Sequence, residues 1–381
     1  MGLSKTIWAN PSEIIRVKAP DHPVLVCAPT VLQATARRFL RGFPGLVTYA
    51  VKSNPDEMVI QNLVAAGIKG FDVASPFEID LIRRLAPGAA LHYHNPVRGR
   101  DEIAHAVKAG VKSWSVDSMS ELDKLIAMVP TAGCEISVRF KLPVAGAAYD
   151  FGAKFGATPD LAGQLLGRVA AAGFIPSLTF HPGTQCTDPM AWDSYIRTAA
   201  QICTDAGVTA VRLNVGGGFP SHRTTQAAPA LEQIFALIDR VATEAFGAAR
   251  PVLVCEPGRG MIADAVCLIT RVKALRDDAH VFLNDGVYGC LAELPLMGNV
   301  DRIEVISPEG LLRDAAPVER VVFGPTCDSV DRLPGHLPLP GDLAEGDFVV
   351  FQGMGAYSAG LNTRFNGFGA VDTVTALALH G

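Results

Sequence analysis

The segment Thr48-Tyr49-Ala50-Val51-Lys52-Ser53-Asn54 places one amine where a carbonyl compound could be captured. The run Leu46 to Val51 is apolar, aromatic and β-branched, the composition of a buried strand. Asn54-Pro55-Asp56-Glu57 then reads as a helix start, with Asn54 at N-cap, Pro55 at N1 and Glu57 at N3. Lys52 thus falls at a strand end. Desolvating an ammonium there is costly, and the cost favours a neutral amine able to form a Schiff base. Taken alone, a lysine whose stem lies along the strand and whose head reaches water is the commoner explanation. The other predicted strand ends shift that balance, because they carry Asp72, His94-Asn95, Asp117, Arg139, His181, Gly216-Gly217-Gly218 and Glu256-Pro257-Gly258-Arg259. A bare glycine run can bind phosphate through backbone N–H groups, although a tight turn explains it as well. Gly258 and Arg259 would lie beside it and add a positive charge. A phosphate cup facing a lysine suggests pyridoxal phosphate, whose ring nitrogen also needs a carboxylate partner, for which Glu256 is the natural candidate.

These residues need a frame that brings strand ends together. Strands are predicted at Leu46–Val51, Gly70–Ala74, Ala90–His94, Ser113–Val116, Glu135–Phe140, Ile175–His181, Ala210–Val215 and Val252–Glu256. Helical patterns fill the gaps. Ser75-Pro76-Phe77-Glu78 and Ser118-Met119-Ser120-Glu121 are capping boxes, and Thr158-Pro159 puts proline at N1. An earlier helix is predicted over roughly 29–40. Eight consecutive βα units in about 230 residues match a TIM barrel, whose strand C-termini face one site. A doubly wound open sheet is the alternative, but it rarely runs eight units without a break. Loop capping explains Asp117 and Asn95-Pro96 adequately; it explains Lys52, His181 and Glu256 poorly.

After Arg259 the character changes. Segments Ala265–Val272, His280–Leu283, Arg302–Ile306, Val318–Phe323 and Asp347–Phe351 are β-like and separated by Gly, Pro and Asp. The expected organisation is a (β/α)8 barrel over 28–262, followed by an all-β C-terminal domain over 263–381, with a strand from 1–27 joining the latter.

The 381 residues are 49% hydrophobic and 19% charged, enough for a large core. No apolar run approaches a membrane span, and Met1-Gly2-Leu3-Ser4-Lys5 lacks the apolar region of a signal peptide. Eight cysteines without CxxC pairs or zinc spacing point to free thiols in a reducing cytoplasm and to no metal site. A net charge of −5 disfavours nucleic-acid binding and suits a cationic substrate.

The resemblance to a known family is specific. YAVKSN, FDVAS, HPGTQ, NVGGGFP, EPGR, NDGVYG, GPTCDSVD and the GAYS…RFNGF tail, running from Tyr49 to Phe368, are similar to the pyridoxal-phosphate-dependent ornithine and diaminopimelate decarboxylase group of the alanine-racemase-like fold. GPTCDSVD and RFNGF resemble the ornithine branch, since diaminopimelate decarboxylases typically have CES where this chain has Cys327-Asp328-Ser329. The resemblance implies that Lys52 holds the cofactor covalently, His181 stacks on its ring and Glu256 pairs with the ring nitrogen. The phosphate would lie against Gly216, Gly217, Gly218, Gly258, Arg259 and Tyr357, with Thr184 standing where relatives have serine. Asp72 and Arg139 would orient Lys52 and the ring. Cys327 would manage protonation of the carbanionic carbon, and Asp328 would bind the distal amine of a diamino acid. Both would reach the site across a two-fold homodimer interface. The remaining cysteines read as packing.

The implied activity is decarboxylation of a basic L-amino acid, ornithine to putrescine first. The alternatives are another amino acid (lysine, diaminopimelate or a less charged one) on the same scaffold, or a non-catalytic regulator with the same fold. One position departs from the pattern. Counting from NDGVYG without gaps, the second ammonium-binding aspartate of eukaryotic-type ornithine decarboxylases is replaced by Met297, and Glu293 is the nearest carboxylate.

Overall fold

The computed structural model describes residues 7–142 and 154–380. The reading of Met1 to Lys5 lies outside the described residues. The chain forms two compact units, one of residues 35–220 and 229–261 and the other of residues 1–34, 221–228 and 262–381. Strands are numbered along the chain, beginning with β1 (Ile7–Trp8) and β2 (Val24–Cys27), which belong to the second unit.

The first unit is a closed barrel. Its strands are β3 (Gly45–Ala50), β4 (Gly70–Val73), β5 (Ala90–Tyr93), β6 (Ser113–Val116), β7 (Glu135–Arg139), β8 (Ile175–Thr179), β9 (Arg212–Asn214) and β10 (Val252–Cys255). Each pairs in parallel with the next, and β10 returns to β3 through Leu253 to Cys255 against Gly45 to Val47. Parallel strands covered by helices are buried on both faces, so short Val/Ile/Leu-rich runs form them. The covering helices show the matching 3.6-residue stripe. In the helix Leu231–Phe246, for example, Ile234, Phe235, Ile238, Val241 and Ala242 are buried.

Helix starts follow the serine and threonine half of the capping chemistry read from the sequence, whereas the glutamate half is not formed: Glu78 accepts from Ala74 N at 2.7 Å and Glu121 pairs with Lys124. Ser75, Ser118 and Thr158 each accept the backbone N–H of the residue three positions on. The start after Lys52 differs from expectation. Asp56, not Asn54, is the N-cap, and it accepts from Met58 N at 2.8 Å before a helix over Glu57–Ala66. Asn54 instead accepts from Asp56 N at 3.0 Å, an Asx turn that Pro55 favours. Val51 to Ser53 form a 3-10 turn.

The second unit is a nine-stranded sheet that adds β11 (Val266–Arg276), β12 (His280–Leu283), β13 (Ile303–Ile306), β14 (Pro317–Phe323), β15 (Leu337–Pro340), β16 (Phe348–Phe351) and β17 (Asp372–Ala376). Its spatial order is β1-β17-β2-β11-β12-β14-β15, with β16 pairing β11 and β13. A core of Val24, Val26, Cys267, Ile269, Phe348 and Val350 lies where β2, β11 and β16 meet. β15 was not expected because Pro338 and Pro340 argue against a strand; it survives by pairing only with β14 at the sheet edge.

Candidate active site

Six polar side chains from different strand ends of the barrel, Lys52, Asp72, His94, Arg139, His181 and Glu256, line one cavity of about 220 Å³ together with Phe155 and Lys154. Lys52 occupies the 3-10 turn after β3. That turn is pinned by Ser53, whose hydroxyl donates to Ala50 O at 2.8 Å and meets the Tyr49 hydroxyl at 3.0 Å. The Tyr49 hydroxyl in turn donates to Asn54 O at 3.1 Å. Lys52 itself is exposed between buried Val51 and Ser53. The strong desolvation read from its strand-end position is therefore corrected: the turn lifts it off the strand, and the amine faces an open cavity.

The ionisable groups around it are held in distinct states. Burial first, then the Glu256 charge, push the Asp72 carboxyl up to about 8, so it is largely protonated at neutral pH. Its Oδ1 is buried without a hydrogen-bond partner among the described residues. Glu256 is the converse. Burial pushes its carboxyl up, but the charge and hydrogen bond of His94, with the hydrogen bond of Asn214, outweigh burial and keep it ionised. Burial, then the Arg139 and Lys52 charges, drive His181 down to about 3, so its ring is neutral. The His181 Nδ1 accepts from Gly183 N at 3.0 Å, which places the proton on Nε2. The Arg139 guanidinium carbon sits 5.3 Å from the centre of the Phe155 ring.

The glycine run after β9 is bare for steric reasons. A Cβ on Gly216 would lie 2.2 Å from Phe180 O, one on Gly217 2.8 Å from Glu256 O, and one on Gly218 2.3 Å from Gly183 O. Gly216 and Gly218 also have φ of 71° and 82°. The run packs tightly against the segments bearing the cavity residues His181 and Glu256 and presents backbone there; the three glycines, like Gly258 and Arg259, do not themselves line the cavity. Arg259 is buried and opens the short helix Arg259–Ile262. A lysine in an open cavity, a side-chain-free glycine cradle, an ionised carboxylate and an orphaned buried Asp72 oxygen fit pyridoxal phosphate in type and number. Thr184 is half-buried in the loop after β8 and is not among the cavity-lining residues.

The second unit brings three of the sequence motifs together around Asp328. The Tyr288 hydroxyl donates to Asp328 Oδ2 at 2.6 Å, and Val330 N donates to Oδ1 at 3.1 Å. These bonds hold the Asp328 carboxyl below its ordinary range. Cys327 is exposed, and its N and Sγ each lie 3.3 Å from Asn366 Oδ1 in the RFNGF segment. Thr363 N donates to Tyr288 O at 3.0 Å, and the Phe365 ring lies 4.6 Å from that of Tyr288. Asp331 ties the base of the loop, accepting from Val287 N and from the N and Oγ1 of Thr326. Tyr357 belongs to this unit and has the left-handed φ of 60°. Glu293 immediately precedes the short helix Leu294–Met297, so the apolar run predicted around Met297 is helical.

His94 stands among the strand-end residues read from the sequence but without an assigned role, and Asn214 does not stand there at all, although both contact Glu256. The signal available was alternation: His92 and His94 are two apart at the end of β5, so they share a face. Asn214 carried no such signal.

A family model described as the pyridoxal binding domain of the pyridoxal-dependent decarboxylases matches residues 31–263, and the chain belongs to that family. It is a pyridoxal-phosphate-dependent amino-acid decarboxylase of the ornithine decarboxylase-like kind. Among curated relatives, the ornithine decarboxylase of Panagrellus redivivus is 29% identical over 96% of this chain and 88% of its own length. Among solved structures, the arginine decarboxylase of Paramecium bursaria Chlorella virus superposes with a TM-score of 0.85 at 26% identity, covering 95% of this chain and 98% of that one. The lysine/ornithine decarboxylase of Vibrio vulnificus, solved with cadaverine, gives 0.82 at 28% identity over 96% and 99%.

Proposed function

We propose that the protein decarboxylates a basic L-amino acid, ornithine first, releasing the diamine and carbon dioxide. The observation that carries this reading is the meeting of Lys52, His181, Arg139 and Glu256 in one cavity beside the Gly216–Gly218 cradle. The basic substrate is supported by Asp328, an exposed carboxylate oriented by Tyr288 next to the exposed thiol of Cys327. The relatives named above act, by their names, on ornithine, arginine and lysine.

In this reading the bound cofactor supplies the electron sink for the pair left when the carboxylate departs. The chain supplies the rest. Lys52 would hold the cofactor, and its amine is the group that a substrate amine would replace. His181, neutral and fixed through Nδ1, offers its ring face without adding charge. Glu256 would hold the ring nitrogen as an anionic acceptor, while Asp72 and Arg139 would orient Lys52 and the ring. The N–H groups of Gly216 to Gly218, with Gly258, Arg259, Thr184 and Tyr357, would hold the phosphate. Cys327 delivers a proton to carbon, and Asp328, with Glu293 secondary or absent, grips the distal ammonium. A substrate panel tests this: purified protein should convert ornithine faster than lysine, arginine, diaminopimelate or neutral amino acids, scored by amine product. A preference for a neutral amino acid would remove the basic substrate and keep only the family.

One observation favours a second reading within the class. Met297 and the apolar helix Leu294–Met297 offer no second carboxylate where ornithine-specific relatives have one, which suits a longer basic side chain such as lysine.

We further propose a homodimer whose sites combine Lys52 of one copy with Cys327 and Asp328 of the other. Mixing Lys52→Ala and Cys327→Ala chains at random makes half the dimers mixed, each with one intact site of two. Activity should recover to about a quarter of wild type. No recovery despite demonstrated subunit exchange would place the whole site in one chain. The eight free thiols support a reducing, cytoplasmic setting, and among the described residues no helix is long and apolar enough to cross a membrane.

A further inference from the structure

Both hydrogen bonds to the Glu256 carboxylate fall on one oxygen. Oε1 meets His94 Nδ1 and accepts from Asn214 Nδ2, whereas Oε2 takes no hydrogen bond among the described residues. The partners are fixed from behind. Asn214 Oδ1 accepts from Gly216 N at 2.9 Å, which sets the amide so that its nitrogen faces Glu256. His94 Nε2 lies 3.1 Å from Ser113 Oγ on β6, and the Ser115 hydroxyl donates to His94 O at 2.8 Å. The His94 and Glu256 side chains are 7% and 11% exposed, so water competes little for these bonds.

We propose that His94 is a positioning residue for the cofactor: backed by Ser113, its imidazole holds one oxygen of Glu256 and leaves the other, as an anion, for the ring nitrogen. The inference rests on the proposed pairing of Glu256 with that nitrogen. Its physical content is a counter-charge. Glu256 is buried beside a second carboxyl, Asp72, and two buried carboxyls that close tend to share one proton. A protonated Glu256 could not accept from the ring as an anion. His94 opposes this through its hydrogen bond to Oε1 and the positive charge which that bond favours on the imidazole. Burial pulls its imidazole down, but the charge and hydrogen bond of Glu256, with Glu135 behind them, raise it above its ordinary value, which favours the form in which both ring nitrogens donate. Of the other groups that face this pair, His92 is driven down to about 4 and His181 to about 3, so both stay neutral, while the Arg139 guanidinium adds a positive charge on the cavity side of Glu256. Removing His94 should therefore raise the Glu256 pKa. Below that new value the cofactor would have to bind against a bound proton; above it the penalty would vanish.

The test is the affinity of the cofactor-free full-length protein for pyridoxal phosphate, measured from pH 6.5 to 9. The proteins compared are wild type, His94→Ala, Glu256→Gln and the double variant. Taking ratios to wild type at each pH cancels the cofactor's own titrations. His94→Ala should bind about tenfold or more weakly at pH 6.5, one tenfold step per unit of pKa between the Glu256 value and the solution. The ratio should close towards one by pH 9. In the Glu256→Gln background, His94→Ala should have no further effect. His94→Asn, which keeps a neutral donor, should fall between, and it takes the place of His94→Ala if that variant does not fold. A ratio that is independent of pH, or the same loss in the Glu256→Gln background, would make His94 a packing residue and overturn the proposal. Wild-type affinity in Glu256→Gln alone would show separately that the ring-nitrogen role of Glu256 had failed, and the proposal with it.

Discussion

Lys52→Ala is expected to lose roughly three or more orders of magnitude in turnover, the usual scale for deleting a covalent nucleophile. The cavity contains a second amine, Lys154, near the ring of Phe155 at 5.0 Å from its centre. Steady-state kinetics on Lys52→Ala and Lys154→Ala therefore separate the two. The 3-10 turn fixes Lys52 through three hydrogen bonds around Ser53 and Tyr49, and a nucleophile must return to one position at each turnover. Lys154→Ala should keep at least about a tenth of wild-type activity, since a cavity-lining charge off the reaction path contributes binding rather than chemistry. Equal losses in both variants would mean that the turn does not select the nucleophile.

Asp328→Ala is expected to cut kcat/KM for ornithine by about two orders of magnitude, the scale for removing the carboxylate partner of a bound ammonium. The loss should fall mainly on KM, because the distal amine is bound alike before and during the reaction. Tyr288 fixes one oxygen and the Val330 amide the other, so the carboxylate is held in place before substrate arrives. Glu293→Ala should cost clearly less. It immediately precedes a helix of four residues whose exposed positions are apolar. Kinetics on ornithine, lysine and a neutral amino acid decide the matter. If Asp328→Ala leaves ornithine turnover unchanged, the ammonium is gripped elsewhere.

The barrel was legible because eight short apolar runs alternated with amphipathic helices, and because Ser75, Ser118 and Thr158 marked helix starts by local chemistry alone. The strand-end residues were legible for the same reason: a closed parallel barrel brings all strand C-termini to one end. What the sequence hid depends on long-range pairing. The contacts of Glu256 with His94 and Asn214 join residues 162 and 42 positions apart, and no local pattern encodes which polar strand ends will meet. The exposure of Lys52 was hidden because a three-residue turn, not the strand, decides where its side chain goes. At the next helix, Asn54, Pro55 and Asp56 offered two competing caps. The Asx turn of Asn54 left Asp56 to take the N-cap. β15 was missed because edge position, which excuses its prolines, is a tertiary property.

The most direct measurement is to reduce the protein loaded with pyridoxal phosphate with borohydride, digest it and map the modified peptide. The cofactor should be found on Lys52, and Lys52→Ala should yield no adduct. Recovery of the reduced cofactor on Lys154, or on any other lysine, would contradict the account.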